Sequence, residues 1–456
     1  MSAFNKFILC VSTAACCCLS GTSVAAQQVM TLHACMQYAV DHSVKVKLQE
    51  MEVDDARINR RQAIFEAFTP SISGQTYAYS NFGRSLDPET NTYVSTTSFN
   101  NGYGVSGGIY LFNGFSAVNN LKISNTALKM GLDQAQLAQD EICLATMEAY
   151  YNVVYYQELE KILEGQVQTA EAALKRARKQ EELGQKGYAE VIEMEAELAD
   201  CQLQLITASN HHQDALLTLK DLMFWPMDQD LVIDTSMTAH QVLTRTTDEQ
   251  ALSETLQYAT HHLPSITLAQ HQIEQARINL QSAKWRFAPS LSLNGGWSTS
   301  YYTYPGLEGY VPASFRTQFR NNGGEYIQLS LSIPIFDRFS KVSQVRRSKN
   351  AYRKATLNYE QQIREVEAEV TRAHQDRDGA SAAYLQAERR AALQEEAYSL
   401  NLKKYEQGLI SSIDFQKASD NWLNAKSNRL NALLQYYIKR SIVAYYNGIP
   451  YLEQVQ

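Results

Sequence analysis

Leu111-Phe112-Asn113-Gly114-Phe115-Ser116 and Ile335-Phe336-Asp337-Arg338-Phe339-Ser340 lie 224 residues apart and match in character at every position but Gly114 and Arg338. Before each runs a stretch in which apolar and small polar residues alternate. After each runs a stretch of more than sixty residues rich in Ala, Leu, Gln, Glu, Lys and Arg, which are strong helix formers. One strand-to-helix junction is therefore written twice.

The repetition extends outward on both sides. Ala56-Arg57-Ile58-Asn59 returns as Ala276-Arg277-Ile278-Asn279, and Gln37-Tyr38-Ala39 returns as Gln257-Tyr258-Ala259, both at an offset of 220. Gly184 answers Gly408 and Pro226 answers Pro450 at 224. The offset changes between the strand-like segments, where a loop absorbs insertions. The chain thus divides into a leader (1–26), a first repeat (27–226), a connector (227–250), a second repeat (251–450) and a tail (451–456).

Each repeat has one internal order. A helical segment (31–68, and 251–287) reaches Pro70 or Pro289. A hairpin of alternating segments follows (70–112, and 289–336), then a very long helix (117–183, and 341–407) and a last helix (190–224, and 413–447). No proline lies between Pro88 and Pro226 or between Pro334 and Pro450, so both long helices are free of the strongest breaker. Leu198, Cys201, Leu205 and Ala208, and Leu423, Leu430, Leu433, Leu434 and Tyr437, recur at three and four residues, the pattern of a coiled-coil-like face. One long helix rises about 100 Å at 1.5 Å per residue, and two shorter helices laid end to end match it. The helical part reads as a rod.

Ser71–Ser80, Tyr103–Phe112, Ser290–Tyr301 and Tyr326–Phe336 are strand-like. Ile327, Leu329, Leu331, Ile333 and Ile335 alternate with Gln328, Ser330 and Ser332, and about ten tilted residues cross a bilayer. Aromatic residues such as Tyr77, Tyr110, Trp297, Tyr301 and Phe336 crowd the segment ends, where interfacial girdles lie. Four strands do not close a barrel and an open edge does not sit in lipid, so the chain is expected to oligomerise. Eight strands from two chains and twelve from three both satisfy the arithmetic.

Composition narrows the function. Forty-one basic against 48 acidic side chains give a net charge of −7, with no basic footprint for nucleic acid. Lys6 is the one charge in the first 28 residues and is followed by the apolar run Phe7–Leu19 and the small residues Val24-Ala25-Ala26, the order of a secretory signal cleaved near Ala26. Cys16, after Thr13-Ala14-Ala15, is the alternative, as a lipid anchor. Cys35, Cys143 and Cys201 remain in the mature chain as three widely spaced core candidates, not a disulfide framework. The adjacent pairs His211-His212 and His261-His262 do not face one another on a helix, and no metal-ligand spacing appears. No catalytic, cofactor or metal constellation emerges, and the chain does not read as an enzyme.

The leader, the duplicated order, the Phe112-Asn113-Gly114 and Phe336-Asp337-Arg338 junctions and the two turns resemble the TolC-like outer-membrane efflux proteins over nearly the whole mature chain. In each turn an acidic residue stands six after a glycine: Gly184-Gln185-Lys186-Gly187 leads to Glu190, and Gly408-Leu409-Ile410-Ser411 leads to Asp414. The resemblance implies a homotrimer with a 12-stranded barrel in the outer membrane of a Gram-negative bacterium and a helical tunnel across the periplasm. The connector and tail would form a belt around it. It also implies a periplasmic adaptor (membrane fusion protein), an inner-membrane transporter of RND or ABC type, and outer-membrane lipid as partners, with no cofactor. The turns would dock the adaptor and close the channel, with Tyr405, Asp414 and Glu190 at matching positions. The chain departs from the family's ionic latch by carrying Ile410 in place of an arginine and Lys417 in place of a second acid. Helix capping by Ser411 and the first-turn acids explains the same residues without a gate. A soluble periplasmic coiled-coil scaffold and a plain diffusion porin are the rival functions.

Overall fold

A computed structural model describes residues 29–86, 91–95, 97–235, 251–307 and 309–454. The leader, Cys16 and the connector residues 236–250 lie outside the described residues. The first repeat gives α1 (Leu32–His42), α2 (Val44–Phe68), β1 (Ser71–Asn81), β2 (Arg84–Leu86), β3 (Tyr93–Ser95), β4 (Ser98–Asn113), α3 (Ser116–Glu182) and α4 (Tyr188–Met223). The second gives α5 (Leu252–His262), α6 (Pro264–Trp285), β5 (Ser290–Thr303), α7 (Phe315–Asn321), β6 (Gly324–Ser332), α8 (Ser340–Glu406) and α9 (Ser412–Tyr446). A 3-10 turn, Tyr451–Glu453, follows.

The break between the first two helices of each repeat has a local cause. Ser43 caps α2 through its Oγ, which accepts from the Val46 N–H, and Pro264 occupies the first turn of α6, where its missing N–H is no loss. The two 67-residue helices α3 and α8 run about 100 Å each. α2 lies along the first part of α3, where Arg60 bonds Asn125 and Val53 meets Gly131. α4 lies along the last part, where His212 bonds Glu160 and Arg178 pairs with Glu195.

Midway along the rod is the main hydrophobic core. Cys35, Met36, Ala39, Met147, Tyr150, Val153, Leu219 and Met223 are almost fully buried there. The described part of the connector joins it: Met30 and Ile233 form a bridge, and the Tyr150 hydroxyl donates to the Asp234 carbonyl at 2.5 Å. The tail joins it too, with Tyr451 stacked on Tyr445 at 4.8 Å.

All four long strands form one antiparallel sheet in the order β1-β4-β5-β6, so the two hairpins meet at β4 and β5, and β1 and β6 are its edges. Register places Ile72, Val105, Ile109, Leu291, Leu293, Trp297, Ile327, Leu329 and Leu331 on one face, and mostly Ser, Asn, Gln, Gly and Tyr on the other. The apolar face is bare: Ile327 is 86% exposed and Leu331 61%. A water-soluble sheet buries such a face, whereas a lipid-facing one does not. Among the described residues no helix is long and apolar enough to cross a membrane.

Three features depart from the sequence reading. The last strand ends at Ser332, not at Phe336, because Pro334 lacks the N–H that a ladder needs. Two short strands, β2 and β3, extend the first hairpin's loop. The loop of the second hairpin contains α7, only seven residues long.

Candidate functional site

Both helical turns close in the same way. Gly184 and Gly408 adopt φ of 70° and 71°, the left-handed conformation that ends a helix most easily at glycine. The next N–H in each, Gln185 and Leu409, donates to the carbonyl five residues back, Gln180 and Lys404, at 2.9 Å. Neither glycine has a neighbour within 4 Å of a would-be Cβ, so conformation alone selects it.

The turns differ in how the following helix begins. Asp414 is the third residue of α9, and the Ser411 Oγ accepts from its N–H at 3.2 Å and donates to its carboxylate at 2.8 Å. Gly187 offers α4 no side-chain cap. Glu190, third in α4, instead pairs with Lys186. Each acid therefore has a local partner, and each lies in the first turn, where the helix dipole favours a negative charge.

The structure brings the two turns together. Lys186 reaches Glu190 and also stands 4.8 Å from the ring centroid of Tyr405 in the second repeat. Tyr405, 5% exposed, stacks on Phe415 at 5.0 Å, and its hydroxyl meets the Met194 Sδ at 3.6 Å. Leu174, Ala177 and Val191 complete this buried cluster, and Ile410 packs at its border. Asp414 and Lys417 are not in it. Both are exposed.

Sequence reasoning missed the seam behind the turns. Ser412 donates to Glu193 at 2.5 Å, Gln416 donates to Glu197, and Arg176 pairs with Glu406 at 3.1 Å. Glu193 and Glu197, four apart on α4, meet Ser412 and Gln416, four apart on α9. That shared spacing of four was the available signal. Burial, more than the neighbouring acids Asp420 and Asp200, holds the Glu197 carboxyl above its ordinary range despite a hydrogen bond from Cys201.

At the strand-to-helix junctions the repeat is equally close. Asn113 Oδ1 accepts from the Ala117 N–H at 3.3 Å and Asp337 Oδ2 from the Lys341 N–H at 2.8 Å. Phe112 meets Phe115 edge-on, as Phe336 meets Phe339. Gly114 and Arg338 share a left-handed φ of 62° and 58°. Glycine is needed in the first copy, where a Cβ would stand 2.5 Å from the Trp285 carbonyl oxygen.

Among the described residues no group of three or more His, Cys, Asp or Glu side chains is placed to hold a metal. Cys35, Cys143 and Cys201 are buried free thiols, each pushed up to about 12 chiefly by burial, the opposite of a reactive nucleophile.

The profile of the outer membrane efflux protein family matches residues 36–223 and 229–443. This chain belongs to the outer membrane efflux protein family. Its fold is shared with solved outer-membrane proteins of low sequence identity. VceC of Vibrio cholerae superposes with a TM-score of 0.73 at 14% identity, covering 91% of this chain and 96% of that one. The CmeC outer membrane channel of Campylobacter jejuni gives 0.73 at 18%, covering 92% and 85%. The open state of the MtrE channel of Neisseria gonorrhoeae gives 0.70 at 18%, covering 93% and 90%. Curated protein sequences yield no significant match. The protein is thus an outer-membrane efflux channel, with its sheet in the membrane and its helices extending into the periplasm.

Proposed function

We propose that the protein is the passive exit duct of a tripartite efflux or type I secretion system, a homotrimer closed at the periplasmic end by its helical turns. One observation carries the cyclic assembly, and membership of the family favours three copies over two. α6 is flanked by both long helices, α3 and α8, whereas its repeat counterpart α2 lies along α3 and has no such second flank among the described residues. Leu48, Met51, Ile58 and Phe65 of α2 are exposed at spacings of three and seven, one stripe of a helix. The α8 of a second copy fits there, just as β6 of that copy fits the open edge of β1. Repeating the step three times gives twelve strands and a closed barrel.

The turns are the natural docking point for a periplasmic adaptor that links the duct to an inner-membrane transporter of RND or ABC type. Leu409 and Leu183 are 69% and 65% exposed there, left uncovered by the described residues. Adaptor contact would favour an open arrangement by binding it better than the closed one. No step in this function calls for chemistry by the duct itself.

The test is photocrosslinking in whole cells from Gln185 and Leu409. The expected result is capture of a periplasmic adaptor from both positions and from neither of two controls on α2. Absence of any adduct, together with undiminished export in cells lacking the protein, would overturn the tripartite role. Recovery only from the soluble periplasm would favour a scaffold, and a wide pore open without partners would favour a porin.

A further inference from the structure

α7 lies where a lipid-facing sheet is most exposed to loss of hydrogen bonds. β6 pairs with β5 only as far as Ser298, so β5 runs on to Thr303 with one edge unpaired by any strand. Gln318 takes the place of a strand residue there: its Oε1 accepts from the Tyr302 N–H at 3.0 Å, and its Nε2 donates to the Tyr302 carbonyl at 2.9 Å. Asn322 donates to the Ser300 carbonyl at 2.8 Å. The helix is therefore fastened to the far end of the sheet, away from the rod.

It is also fastened to a particular face. Phe315 and Phe319 pack against Tyr103, Trp297 and Tyr301, with ring centroids 5.5–6.0 Å apart. Trp297 and Tyr103 share the face of Leu293, Val105 and Leu329, the bare apolar face. α7 is thus outside the barrel wall, at the rim of the outer leaflet, over an aromatic platform of the kind found at headgroup depth. On the adjacent side of the helix stand Arg316 and Arg320, four apart and so one above the other. Both are exposed and neither has an ion pair among the described residues. Phe315–Asn321 contains no acid.

We propose that Arg316 and Arg320 form a clamp for the phosphate groups of the glycolipid that makes up the outer leaflet, with lipid A as the ligand. A guanidinium fork matches phosphate oxygens in pairs, and the rings beneath fix the height of the two forks in the membrane. The proposal rests on the barrel reading above.

The test titrates the purified full-length protein in nanodiscs with lipid A carrying both phosphates, and with the same lipid dephosphorylated. Wild-type protein is expected to bind the phosphorylated form at least tenfold more tightly than R316Q/R320Q, while R316K/R320K, which keeps the charge and loses the fork, falls between the two. Dephosphorylated lipid should bind wild type no better than the glutamine variant binds lipid A. Equal affinity of wild type and R316Q/R320Q would overturn the clamp, and so would equal binding of phosphatidylglycerol. Envelope fractionation of the same variants separates the two readings. Protein in the outer membrane without phosphate dependence sinks the clamp alone, whereas protein absent from that membrane sinks the barrel reading with it.

Discussion

The Nζ of Lys186 stands 4.8 Å from the ring centroid of Tyr405, so the turn of the first repeat is fastened to the end of the long helix of the second. The same ammonium pairs with Glu190. Changing Lys186→Met removes both interactions at a cost of about 1–2 kcal/mol locally, since a cation over a ring is worth about 0.5–2 kcal/mol. In planar bilayers the variant should open more often than wild type, with little change in global unfolding. Unchanged opening would show that the contact is not part of the closure.

Ser411 and Asp414 separate capping from permeation. Ser411→Ala removes the N-cap of α9 and should cost about 1 kcal/mol, read as a lower unfolding midpoint. Asp414→Asn keeps a side chain that Ser411 can reach but removes the charge. If the carboxylate acts on passing ions, cation selectivity falls in Asp414→Asn while stability stays within about 0.5 kcal/mol of wild type.

Two glycines of nearly equal φ should respond very differently to alanine. Gly184→Ala meets only the left-handed backbone penalty, about 1–2 kcal/mol, because its surroundings are empty. Gly114→Ala meets that penalty and a collision with the Trp285 carbonyl. The expected order is a clearly larger loss of thermal stability for Gly114→Ala, measured side by side.

His374 supplies a pH dependence with a definite sign. It is buried in α8, its Nε2 is 3.1 Å from the Thr255 Oγ1, and Thr255 donates to Asn447 at 2.6 Å. Burial, then Arg377, holds its pKa below the ordinary value, against a smaller opposing pull from Asp378. The unfolded chain therefore takes up a proton first as pH falls, near 6.5, and stability drops from there down to the folded-state pKa. His374→Gln should flatten the stability curve below about pH 6.5, monitored by thermal unfolding. An unaltered slope would place the dependence elsewhere.

Much of the architecture is legible in the residues because its determinants are local and doubled. The alternation through Ile327–Leu331 and the matched Phe112 and Phe336 junctions each announce themselves within a dozen residues, and the long proline-free span occurs in both copies. The rest depends on partners far apart in the chain. Tyr405 reads from the sequence as a residue near a gate, but its ring is buried by Phe415 and capped by Lys186, which only the packing of α3 and α4 against α8 and α9 brings near. Seven residues are too few for α7 to show a helical period, and its anchor Gln318 binds a strand backbone sixteen residues away. Pro334 was visible, yet the surrounding Ile333 and Ile335 continue the alternation past the point where the ladder stops.

The bare edges of β1 and β6 bear on how the protein reaches its membrane. A single chain entering lipid exposes two rows of unpaired backbone amides and carbonyls, each a cost of several kcal/mol, so a lone copy has no stable inserted state. Insertion then becomes an encounter-limited event, whose rate climbs more steeply than the first power of protein concentration. Cells that synthesise few copies would hold a pool of waiting chains, open to periplasmic proteases, and abundance would fall off sharply below a threshold of expression.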